Sequence, residues 1–109
     1  MNKIVLIISL LTTGLSFAGG NPVEGKKKVE RVCQSCHGMD GLGINETYPK
    51  LAGQFADYLV IALKDYKLGE RKNPIMSGFA ASLSEQDMEN VAAYYSRLTV
   101  DKLHDLSIK

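Results

Sequence analysis

The chain has 109 residues, enough for one small domain, and its 13 Lys plus Arg stand against 12 Asp plus Glu for a net charge of +1. Near-neutrality excludes a nucleic-acid binder, which needs a concentrated basic surface, and weakens long-range steering of any single partner. With no Trp and three Phe, the apolar core is thin for a domain of this size, and an added apolar body at its centre would help it fold.

The first eighteen residues read as a secretory signal peptide. Lys3 precedes an apolar run from Ile4 to Leu11, Gly14 breaks it, and Ser16-Phe17-Ala18 offers small residues for cleavage after Ala18. The run is short of the ~20 apolar residues a membrane-spanning helix needs, so no stable membrane anchor is expected. Export places the working domain, residues 19–109, in the periplasm, and loss of Lys3 brings its charges into balance.

Asn21-Pro22 opens the first predicted helix: Asn is a good N-cap, Pro suits the first helical position, and Glu24 completes a capping box. This helix runs to about Cys33. Residues 38 to 54 form a loop punctuated by glycines and Pro49. Gln54 to Lys67 carries apolar residues at helical spacing, with Gly69 as its stop. Residues 70 to 83 read as a second loop around Asn73-Pro74-Ile75-Met76. Ser84 then caps a third helix reaching about Leu98, and residues 99 to 109 form a polar tail that adds at most a partial turn. The predicted architecture is all-α: three main helices and two long loops, and long loops in so small a domain usually serve a function.

Cys33-Gln34-Ser35-Cys36-His37 is C-x-x-C-H, the signature for covalent haem attachment. Two thiols three residues apart in a helical turn reach the two vinyl groups of one porphyrin, and the next residue, His37, is held where a ring nitrogen can bind iron. A thioredoxin-like pair would need a βαβ setting, and structural zinc a second ligand pair. A plain disulfide is open to two cysteines in an oxidising compartment, but gives no account of His37. The reading is one covalently attached haem c.

The second axial ligand decides what such a haem does. Met39 lies too close to His37 to reach the other face, and Met88 sits on the apolar stripe of the third helix, where Met usually fills core. Met76 lies in a loop with enough chain to cross the ring, followed by the small residues Ser77 and Gly78. It is the candidate, with His104 or an open position as the alternatives.

From Gly25 to Leu98 the chain resembles a class I cytochrome c, and more narrowly the monohaem c553 type and single domains of the cytochrome c4 family. Beyond the haem motif the resemblance rests on Tyr48-Pro49-Lys50-Leu51-Ala52-Gly53-Gln54, Tyr66-Lys67-Leu68-Gly69-Glu70-Arg71, Asn73-Pro74-Ile75-Met76, and Leu83-Ser84 through Ala93-Tyr94-Tyr95. It implies a fold wrapped around the haem. It also implies that Pro49 accepts a hydrogen bond from His37 Nδ1–H, that Leu51 packs on the haem face, and that Gly25 lets the first and last helices cross closely against Val91 and Tyr94. Val29 departs from the pattern, many relatives carrying an aromatic there. Arg71 and Tyr58 are candidates to reach a haem propionate, a solvated Arg being the alternative.

The expected function is one-electron transfer between respiratory partners through a His37/Met76-ligated iron, with no catalytic site of the chain's own and a monomeric state. A membrane quinol-oxidising complex and a terminal oxidase or reductase would dock transiently at the haem edge, near Gln34, Ser35, Met39, Leu42 and Ile44. The alternative is a haem subunit of a periplasmic dehydrogenase or reductase; a sensor with Met76 displaced is a further rival. Lys26-Lys27-Lys28 reads as a solvated face or a docking bias.

Overall fold

The computed structural model describes residues 19–98; the proposed leader, His104 and the polar tail lie outside them. Every element among the described residues is helical. The chain runs α1 (Pro22–Lys28), a π-helical turn (Val29–Cys33) and α2 (Gln34–His37) as one continuous helix, then α3 (Ala56–Leu68), α4 (Pro74–Ala81) and α5 (Glu85–Ser96).

Helices α1, α4 and α5 each start on a side-chain cap. The Asn21 side chain accepts from the Val23 and Glu24 N–H groups ahead of Pro22, closing donors that a helix N-terminus leaves open. Ser84 and Asp87 form a full capping box at α5. Gly69, at φ +78°, ends α3 in the left-handed region as expected.

The stretch read as a second loop contains α4. Asn73 caps it as Asn21 caps α1, its side-chain oxygen accepting from the Ile75 and Met76 N–H groups, with Pro74 again at the first position. Met76 therefore projects from a helix rather than from irregular chain.

The core forms where α1, α3 and α5 meet: Val29, Leu59, Val60, Val91, Ala92 and Tyr95 are its buried cluster. Gly25 is the crossing point. A Cβ there would overlap the Asn90 backbone carbonyl of α5 and stand 3.1 Å from Tyr94 Cβ, so only glycine permits this approach. The Asn21 N–H seals the crossing by donating to Asn90 Oδ1 at 2.8 Å. Met88 is 1% exposed, core filler as read. The lysine run is partly absorbed into ion pairs, Lys27 with Glu24 at 3.1 Å and Lys28 with Asp87 at 3.6 Å.

Candidate functional site

The π-turn places the haem motif. An α-helix advances ~100° per residue, so an unbroken helix would stack Cys36, seven residues on, directly over Val29 and turn His37 aside. The turn adds one residue, its Gln34 N–H donating to the Val29 carbonyl five residues back, and such insertions recur at functional sites. The motif is thereby rotated by about one position. His37 falls in line with Val29 and is 7% exposed, while Cys33 and Cys36 lie beside that line, half-buried.

His37 Nδ1 lies 3.0 Å from the Pro49 carbonyl oxygen. A carbonyl can only accept, so Nδ1 is the donor, and in the neutral ring this tautomer leaves the lone pair on Nε2. The loop that delivers Pro49 is itself tied to the motif. Gly43 N–H donates to the His37 carbonyl at 2.8 Å and Ile44 N–H to the Cys36 carbonyl at 2.9 Å. Gly41, at φ +70°, offers its carbonyl to the Leu51 and Ala52 N–H groups. From α5, the Tyr94 hydroxyl donates to the Met39 carbonyl at 2.6 Å and the Tyr95 hydroxyl to the Gly38 carbonyl at 3.0 Å. Burial pushes the Tyr95 phenol pKa far up, so the hydroxyl stays a donor.

These pieces surround a cavity of about 330 Å³, within the range of cofactor sites. Cys33, Cys36, His37, Pro49, Leu51 and Met76 all line it, so the structure brings together every site residue read from the sequence. The walls are mainly apolar, with Leu59, Leu63, Ile75, Phe79 and Leu83 among them. The charged side chains in the lining are Lys50 and Arg71, both cations. Arg71 Nη1 donates to the Tyr58 hydroxyl at 3.2 Å, and its guanidinium lies 5.0 Å from the Tyr66 ring centroid. A flat apolar group with two acidic substituents suits such a lining.

The two thiols are unbridged. Burial pushes Cys33 up to about 11, against a smaller pull from Lys28. That is the reverse of a reactive redox thiol, whose pKa is depressed. Among the described residues no group of three or more His, Cys, Asp or Glu side chains can hold a metal ion directly, and no helix is long and apolar enough to cross a membrane.

Tyr48, Tyr94 and Tyr95 acquire roles that residue-by-residue reading missed. Tyr48 stands edge-on to the His37 ring, centroids 6.3 Å apart, and the influence of the neighbouring Cys36 thiol raises its phenol pKa. The signal for Tyr94 and Tyr95 was present: hydroxyls on or beside a helix's buried face need partners. Of the residues expected at a docking face, Gln34, Ser35, Leu42 and Ile44 are exposed and Met39 is half-buried against the core.

The family model for cytochrome c matches residues 22–99. The chain belongs to the cytochrome c family. It is 41% identical over 98 residues to cytochrome c4 of Pseudomonas aeruginosa, covering 88% of this chain and 48% of that protein. It is 41% identical over 80 residues to cytochrome c-554(548) of Halomonas halodenitrificans, covering 71% of this chain and 95% of that one. Among solved structures, reduced recombinant cytochrome c4 from Pseudomonas stutzeri superposes with a TM-score of 0.64 at 33% identity, over 74% of this chain and 52% of that one. A thiosulfate dehydrogenase (TsdBA) from Marichromatium purpuratum superposes with a TM-score of 0.66 at 31% identity, over 71% of this chain and 18% of that one. The chain spans about half the length of the cytochrome c4 relatives it matches. The fold is that of a class I cytochrome c of cytochrome c4 type, and its cofactor is covalently bound haem c, for which Cys33, Cys36 and His37 supply the attachment motif.

Proposed function

We propose that this chain is an exported, periplasmic single-haem electron carrier in which His37 and Met76 are the axial ligands. The observation that carries the reading is the 3.0 Å bond from His37 Nδ1–H to the Pro49 carbonyl. It leaves Nε2 available in a cavity that Met76 also lines, and such a bond fixes ring orientation and raises ligand basicity. When bound, the haem iron supplies the one-electron couple.

The protein's own work is to hold, orient and enclose. Cys33 and Cys36 tether the group as thioethers, so it survives dilution. Met76 would hold the iron from the side opposite His37, and its thioether, with the apolar walls around Leu51 and Leu59, would favour the ferrous state. Arg71 and Tyr58, bonded to each other in the cavity lining, would meet propionate charge. Exposed Leu42 and Ile44 beside the motif form the face where respiratory partners dock and release, as weak association permits.

The test is the optical spectrum and potential of the holoprotein. The oxidised form should show the weak red-edge band of Met–Fe ligation. Met76→Ala should abolish it, allow the reduced form to bind carbon monoxide, and lower the potential by on the order of 0.1 V, within the ~0.8 V that axial ligands span. An unchanged spectrum would refute the assignment. The match within the much longer thiosulfate dehydrogenase chain favours one second reading, a haem subunit of a dehydrogenase or reductase. Stable co-purification of a larger periplasmic protein would select it over a free carrier.

A further inference from the structure

Helix α4 carries Met76 and packs against α3. Ile75, Met76 and Phe79 line the cavity, and a Cβ on Gly78 would meet nothing within 4 Å. Its polar ties lie at its two ends. At its start the Asn73 side chain accepts from Ile75 and Met76. Past its end, Leu83 donates its N–H to the Ala80 carbonyl at 3.1 Å. The Leu83 carbonyl in turn accepts from Lys67 Nζ, in the last turn of α3, at 2.6 Å. Leu83 is itself buried and lines the cavity. The lysine thus bridges the end of α3 to the end of the ligand-bearing helix, by a bond its charge strengthens.

We propose that Lys67 is a positioning residue for Met76: its ammonium clamps the far end of α4 through the Leu83 carbonyl and so sets how often the sixth position opens. This rests on the assignment of Met76 as axial ligand. Release of Met76 by a swing of α4 together with Leu83 away from α3 would break the Lys67–Leu83 bond. An external ligand that competes with Met76 binds only the open form, so its apparent affinity scales with the open fraction.

The experiment titrates oxidised holoprotein with imidazole and follows loss of the Met–Fe band, for wild type, Lys67→Met and Lys67→Arg, with covalent haem confirmed by mass. Lys67→Met should raise the apparent imidazole affinity about five- to tenfold, as expected for loss of a partly exposed charged hydrogen bond. Lys67→Arg, which keeps a cationic donor, should restore most of the wild-type value. Equal affinity in Lys67→Met and wild type would overturn the proposal. So would a gain accompanied by a general loss of helix content in far-UV circular dichroism, since that is fold damage rather than positioning. A wild-type protein that carries haem but lacks the Met–Fe band would overturn the Met76 assignment and, with it, the role given to Lys67.

Discussion

Gly25 shows how much one missing side chain can decide. Helices normally pack with axes 8–10 Å apart, the distance being set by the side chains at the crossing. Here a Cβ would run into the Asn90 backbone, which cannot step aside without moving α5. Gly25→Ala should therefore cost about 1–3 kcal/mol, the range for overpacking, even though Ala is the better helix former by ~1 kcal/mol. Urea unfolding of the holoprotein would show a lower midpoint with an unchanged slope. A variant as stable as wild type would mean that α1 can ride higher on α5 at no cost. Val29, in the turn that follows this helix, is completely buried.

At the scale of the element, the start of α5 links a cap to pH. Asp87 is held below its ordinary value near 3.8, first by the Ser84 N–H, then by the Ser84 hydroxyl and Lys28. A depressed folded-state pKa contributes stability that is fully present above the unfolded value and is lost as pH falls through the lower folded value. Asp87→Asn should remove that dependence, flattening the acid limb of the stability curve below about pH 4. Ser84→Ala should cost about 1 kcal/mol through the lost cap. Thermal melts between neutral and acid pH test both, and parallel acid limbs in Asp87→Asn and wild type would contradict the first. The cap was legible from Ser84, a preferred N-cap residue ahead of an apolar stripe. Asn73-Pro74 was not, although it repeats Asn21-Pro22. Asn-Pro marks turns as well as helix starts, and Gly78 and a span of only eight residues gave periodicity too little length to arbitrate. The π-turn left no compositional trace at all. One extra residue in a helix alters hydrogen bonding and direction without altering the residue types around it, so C-x-x-C-H announced the chemistry but not the rotation that lines it with the cavity.

For the molecule as a whole, the decisive fact is that the packed cluster of α1, α3 and α5 borders a void of about 330 Å³ that the chain does not fill. Apolar space that side chains leave unfilled weakens a small domain. Domains of this size have only ~5–15 kcal/mol in total. The cofactor is thus part of the core, which is why a chain with no Trp can hold this fold. Cys33→Ala/Cys36→Ala, a chain that cannot tether haem, should keep much of its helix, because the caps at Asn21, Asn73 and Ser84 are local. It should lose fixed packing around Tyr95 and Leu51. The expected signs are retained far-UV but weakened near-UV circular dichroism, dye binding to exposed apolar surface, and a broad melt at lower temperature. A sharp transition matching that of the haem-bearing protein would show that the helices close the cavity by themselves, and that the haem is cargo rather than core.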